Sequence, residues 1–157
     1  MKPEPLFDFA TASALLVDAN PLTRKLLVAI LSGFGFRQLY QCGDLSTAAT
    51  VIDQASVDLL FVDPYPIEET CFDFMRHVRA ESSWNANVPL LLTSANPHMR
   101  LIRAATKSGA DFVIAKPFSS KVVFDRIVWV AQHDGRGGAH QAGKQTVSTT
   151  GSGVEVW

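Results

Sequence analysis

The sequence predicts a doubly wound parallel α/β sheet with helices on both faces. Three observations carry that prediction. Strand and helix patterns alternate through five units within about 120 residues, the rhythm of repeated strand–helix crossovers. The strand runs are almost continuously apolar rather than alternating, as strands covered on both faces must be. Several of those runs end on an acid, a hydroxyl or a lysine, where parallel sheets gather their chemistry.

The elements follow in order. Residues 13–18, SALLVD, form a short apolar run ending on Asp18. Pro21 suits a first helical turn, and Leu22, Leu26, Ile30 and Phe34, with Leu27 and Leu31 beside them, make one helical stripe. Gly33 and Gly35 supply the stop. Residues 37–42, RQLYQC, read as a weaker strand. Asp44 caps a helix over 45–55, in which Ala48, Val51, Ile52 and Ala55 recur at helical spacing. Residues 58–63, DLLFVD, are a second apolar run ending on an acid. A helix over 69–81 carries Phe72, Met75, Val78 and Arg79. VPLLLTS (88–94) is a buried strand, 98–108 a helix stopped by Gly109, and DFVIA (111–115) the last strand. Lys116-Pro117 then leads into a helix over 119–132.

Composition places one boundary. The segment after Gln132 holds six of the ten glycines and no apolar periodicity, so 133–157 is expected to be disordered, with Val154 to Trp157 the part that could dock. Residues 1–10 are expected to be an extended lead-in, leaving 11–132 as the working domain. With 14 Lys and Arg against 15 Asp and Glu, the charge of −1 gives no global pull toward nucleic acid or anionic lipid. Two cysteines exclude a disulfide scaffold, and Cys42 and Cys71 read as small buried apolar groups. No run approaches a membrane span, and the acids and prolines of the N-terminus do not make a signal peptide. The expectation is a cytoplasmic protein. His77, His98, His133 and His140 show no ligand spacing, and His98, which opens a helix, is expected to be solvated.

In a parallel sheet the strand ends at Asp18, Asp63, Thr93-Ser94 and Lys116-Pro117 converge on one edge. Two carboxylates, hydroxyls and an ammonium in one crevice suit phosphate and a divalent cation. A carboxylate is also a nucleophile toward phosphorus, and lysine offsets incoming phosphoryl charge.

The order VDAN, LLFVDP, LLTSA, AKPF resembles a response-regulator receiver domain of two-component signalling, over roughly residues 12–132. Lys116-Pro117-Phe118, after an apolar strand and the Gly109-Ala110-Asp111 turn, is the strongest single motif. The resemblance implies a flavodoxin-like sheet of order 2-1-3-4-5, an order the general rule for doubly wound folds also names for this family. It implies that Asp63 is the phosphoacceptor and that Thr93, Ser94 and Lys116 contact the phosphoryl group. It further implies Mg²⁺ on Asp18, Asp63 and the Tyr65 backbone oxygen, and a cis bond before Pro117.

The sequence departs from that family's pattern at three places. Receivers carry two adjacent acids after the first strand, whereas Asp18 is followed by Ala19, so a weak or absent Mg²⁺ site is expected. Asn20 can offer only a neutral oxygen. Pro64 follows Asp63 and has no N–H to give a phosphoryl oxygen. The aromatic switch position of the fifth strand falls on Val113, with Phe112 on the opposite face.

Each feature has a bland counterpart. Asp18 could merely cap the helix beginning at Pro21, and Asp63 could be a surface acid. The last helix carries seven large apolar residues among the eleven from 120 to 130, more than one buried face needs. Either the lead-in or tail covers the excess, or Val122, Phe124, Val128 and Trp129 form an output surface, as the fourth helix, fifth strand and fifth helix do in receivers.

The leading expectation is a receiver without an attached output domain, not an enzyme. It takes a phosphoryl group on Asp63 from a histidine kinase or phosphotransfer protein and signals to an unidentified protein, with a homodimer through the last helix possible. The rival is an atypical receiver acting as a phosphorylation-independent interaction or dimerisation module. A small flavin- or ligand-binding domain is the reading from another class, and the first turn offers no glycine loop to cradle its phosphate.

Overall fold

The computed structural model describes residues 8–132, 147–150 and 153–156. Its first ten elements are β1 (Ser13–Val17), α1 (Pro21–Phe34), β2 (Gln38–Cys42), α2 (Leu45–Gln54), β3 (Leu59–Val62), α3 (Glu68–Arg79), β4 (Leu90–Ser94), α4 (Met99–Ser108), β5 (Phe112–Ala115) and α5 (Ser120–Gln132). The five strands are parallel in the order β2-β1-β3-β4-β5, as expected.

The apolar runs work as two-sided strands because side chains alternate between faces. Leu15, Val17, Leu60, Val62, Leu90 and Leu92 meet one buried layer from α2, α3 and α4. Leu16, Leu59, Phe61 and Leu91 meet the other, from α1 and α5. Val113 and Phe112 of β5 divide between the two layers in the same way.

Local chemistry fixes the helix ends. The Asn20 side chain caps α1 by accepting from the Leu22 and Thr23 amides, so Asn20 and not Asp18 is the cap. Asp44 caps α2 through the Thr47 amide at 2.7 Å. Gly35 and Gly109 end α1 and α4 with φ of 113° and 117°, a left-handed backbone that L side chains resist.

The phase of α1 differs from the expectation. Leu27, Ile30 and Leu31 are buried, whereas Leu22 is 75% and Leu26 47% exposed. Six apolar positions permit two stripes, and the seat on the sheet selects the later one.

The surplus on α5 is partly absorbed. Trp129 packs edge-on against Phe112 at 4.6 Å, and Val122 lies half-buried against the α1–α5 layer. Phe124 touches Phe34 at 5.3 Å and Phe9 at 6.3 Å while remaining 40% exposed. Of the four residues expected on an output surface, Trp129 and Val122 therefore serve packing, Phe124 is partly covered by Phe9 and Phe34, and Val128 is half-buried. The lead-in supplies that cover. From Asp8 it makes a turn, with the Thr11 and Ala12 amides on the Asp8 carbonyl, and does not run extended.

The segment expected to lack order contributes two strands, β6 (Val147–Thr150) and β7 (Gly153–Val156). They pair antiparallel, and β7 lies beside β5, extending the sheet to β2-β1-β3-β4-β5-β7-β6. The valines and threonines of these runs favour strands, and β5 offers an edge to pair with. The remaining tail, with His133 and His140, lies outside the described residues, as do residues 1–7. Among the described residues no helix is long and apolar enough to cross a membrane.

Candidate functional site

The carboxyl ends of β1, β3, β4 and β5 open into a cleft of about 660 Å³. Asp18, Asp63, Tyr65, Ser94 and Lys116 line it. Asp18 and Asp63 follow β1 and β3 directly, and both amides continue the sheet, Asp18 to the Cys42 carbonyl and Asp63 to the Val17 carbonyl. Lys116 follows β5, its amide on the Ser94 carbonyl at 2.8 Å. Each functional side chain thus hangs from a strand buried on both faces, which fixes its root.

Lys116 Nζ reaches both acids. It lies 2.6 Å from Asp18 Oδ2 and also donates to Asp63 Oδ2. The second oxygens are taken as well. Asp18 Oδ1 accepts the Asn20 amide at 2.8 Å, and Asp63 Oδ1 the Tyr65 amide at 2.7 Å. All four carboxylate oxygens therefore have a protein donor, as buried carboxylates need. Pro64 supplies no N–H here, and Tyr65 provides the amide one residue later. Arg24 reaches back from α1 to donate to the Asp18 carbonyl.

Ser94 and Thr93 are not equivalent. Ser94 is in the cleft wall, its Oγ accepting the Asn96 amide at 3.1 Å. Thr93 is buried and is not part of the cleft lining. Pro117 follows a cis bond, and a second cis bond precedes Pro66, which the sequence did not signal.

Below the cleft, burial pushes the Cys71 thiol up to about 12, with the Asp63 and Glu68 charges adding to the effect. Cys42 is raised too, first by burial and then by Asp44. Both cysteines are free and buried, as expected.

His98 lies outside the cleft wall, and its side chain is 38% exposed, partly solvated as expected. Its Nδ1 caps α4 by accepting the Leu101 amide at 3.1 Å, so Nε2 carries the proton and faces Glu68 Oε1 at 3.2 Å. Glu68, Asn96 and Thr23 line the cleft and were not singled out in the sequence. They lie on loops and first helical turns, where no periodicity marks a residue as facing a site.

Two carboxylates and the Tyr65 carbonyl can hold a Mg²⁺ ion that keeps most of its water. Ala19 lines the cleft where a third anion would stand. Lys116 also leaves the cluster with a net charge of only −1 from two acids and one ammonium. The donor set is of the oxygen type that Mg²⁺ takes.

Comparison with known proteins agrees with this fold. A family model described as the response regulator receiver domain matches residues 14–128. The chemotaxis protein CheY of Pseudomonas aeruginosa is 26% identical over 113 residues, which are 72% of this chain and 90% of that one. The DNA-binding response regulator MtrA of Mycolicibacterium smegmatis is 30% identical over 113 residues, 72% of this chain and 47% of its own, so the chain spans about half of that relative. A response regulator from Thermotoga maritima superposes with a TM-score of 0.68 at 25% identity, over 78% of this chain and 98% of that one. A signal receiver domain from Clostridium thermocellum shares the fold with a TM-score of 0.71 at 19% identity, over 78% of this chain and 98% of that one.

Proposed function

The chain belongs to the response regulator receiver domain family, and from that premise we propose that Asp63 is its phosphoacceptor. Receiver domains are signalling domains of two-component systems. They accept a phosphoryl group and interact with histidine kinases or phosphotransfer proteins. In this reading the chain does so in the cytoplasm and passes the signal on by protein contact.

The observation that carries the proposal is the meeting of Asp63, Asp18 and Lys116 at three strand ends. A carboxylate oxygen of Asp63 attacks phosphorus in line. The phosphorus–nitrogen bond of a phosphohistidine breaks, and the leaving imidazole keeps the electron pair and takes a proton. Lys116, already on Asp63 Oδ2, follows the charge onto a phosphoryl oxygen. Ser94 meets that oxygen from the cleft wall, and the buried Thr93 moves toward it, shifting the population of output conformations. Asp18, Asp63 and the Tyr65 carbonyl would hold Mg²⁺, which when bound offsets phosphoryl charge. Phe124 and Val128 are the part of α5 left for a partner or a second copy.

The second reading, a receiver acting without phosphorylation, is favoured by one arrangement. Ala19 withholds the third anion, and Lys116 already satisfies the two acids that remain.

Intact mass after incubation with Mg²⁺ and a small acyl phosphate tests the choice. A phosphate adduct on the natural chain, absent from Asp63→Ala, is the expected result. An adduct only after Ala19→Asp, with a dimer that forms equally well in Asp63→Ala, would replace it with the second reading.

A further inference from the structure

The outer edge of a parallel sheet is a template for any extended chain, and natural edges carry charges, prolines, bulges or a cover. β2, at one end, exposes polar Gln38 and Gln41. β5, at the other end of the five parallel strands, reads Phe112-Val113-Ile114-Ala115, with no charge and no proline. Its protection is a cover. β7 pairs antiparallel with it, Val113 opposite Val156 and Ile114 opposite Glu155. β6 backs β7 over its whole length, from Val147 opposite Val156 to Thr150 opposite Gly153, so the cover is a hairpin.

We propose that the C-terminal strand Gly153–Val156 is a strap acting in cis: it occupies the β5 edge, which is a docking surface for an extended strand. Backbone pairing sets its affinity, and any strand of a partner must displace the chain's own. Fourteen residues, 133–146, separate the end of α5 from β6 in the chain. The pairing stands independently of phosphorylation. Its consequence, that the strap shields the output face around α4, β5 and α5, rests on the receiver reading above.

The test is residue-specific. The Lys116 amide points to β4, where it meets the Ser94 carbonyl. Strand periodicity then turns the Ile114 amide to β4 and the Val113 amide to the outer edge. Amide hydrogen exchange is measured on the full chain, on Val156→Pro, which lacks the amide opposite Val113, and on Val156→Ala, which keeps it. Val113 should be protected in the natural chain and in Val156→Ala. In Val156→Pro it should exchange at least about tenfold faster, with Ile114 unchanged. Equal, rapid exchange of Val113 in all three would overturn the proposal. So would a dimeric mass with Val113 protection that falls on dilution, because the strand would then come from a second copy. Repeating the comparison in Asp63→Ala should give the same result, which separates the strap's failure from the failure of the phosphoacceptor reading.

Discussion

Lys116 and Asp18 are 98 residues apart in the chain, and their side chains meet at 2.6 Å. The same ammonium holds Asp63, so one cation joins the ends of three strands. The cluster is mostly buried, and its two acids face each other only because Lys116 stands between them. Lys116→Met should therefore cost about 3 kcal/mol, the scale of breaking a buried ion pair from one side. Urea denaturation measures it. Asp63→Asn removes an acid as well and should restore part of the loss in the double variant. A loss that the second substitution leaves untouched would mean that Lys116 acts through packing alone.

Arg79 makes a second long-range tie. Its Nε and Nη2 both donate to the Gly109 carbonyl, at 3.0 and 2.7 Å, and Nη2 pairs with the buried Asp111 at 3.1 Å. Burial lowers the Arg79 pKa, and Asp111 opposes that shift. Arg79→Lys should lose most of what Arg79→Met loses, about 2–3 kcal/mol, because an ammonium cannot present the planar fork. Gly109→Ala should be as damaging, since a Cβ there would stand 2.6 Å from Arg79 Cγ on a backbone at φ +117°. Thermal melts of the three variants check both statements.

Most of the fold was legible because apolar runs and glycine stops announce themselves locally. The strand ends that build the cleft were legible for the same reason. Topology alone brings Asp18, Asp63, Ser94 and Lys116 together once the strands are parallel. What escaped depended on partners. The leucines at 22, 26, 27 and 31 support two helical phases, and only the sheet picks Leu27 and Leu31. Phe9 lies in a lead-in without periodicity, yet it covers Phe124 and Phe36. Arg79 reads as an interruption of an apolar helix, and its partners are the Ala86 and Val88 carbonyls of the following loop together with Gly109 and Asp111, 30 and 32 residues on. A four-residue GVEV run, Gly153 to Val156, says little until β5 offers an edge.

Cys71 makes stability fall in alkali. Its folded thiol keeps its proton to about 12, against an ordinary value of 9.0. The folded state then holds a proton that the unfolded chain releases. The contribution is complete below about pH 9 and is lost as pH rises toward 12. Its slope approaches at most about 1.4 kcal/mol per pH unit. Urea midpoints stepped upward from about pH 8 should fall more steeply for the natural chain than for Cys71→Ala. The rise of Cys42 leaves a residual slope in both. Parallel curves for the two proteins would remove Cys71 as the cause.

Ala19 is the position that tests whether charge limits the cleft as a cation site. It lines the wall beside Asp18 and is small enough that a longer side chain would project into open space there. Ala19→Asp adds a third anion to a pair that Lys116 half-neutralises. Hard cations respond strongly to ligand charge, so Mg²⁺ affinity should rise at least about tenfold, measured by calorimetric titration. The gain has a cost in the metal-free protein, because the new carboxylate faces two others. Without Mg²⁺ the variant should melt lower than the natural chain, and saturating Mg²⁺ should raise its melting temperature more. Asp18→Asn in the same background should abolish both effects, since the added acid needs its neighbour to complete the donor set. Unchanged affinity in Ala19→Asp would mean that Lys116, and not the missing acid, keeps the cation out. Lys116→Met would then be the substitution that raises Mg²⁺ affinity.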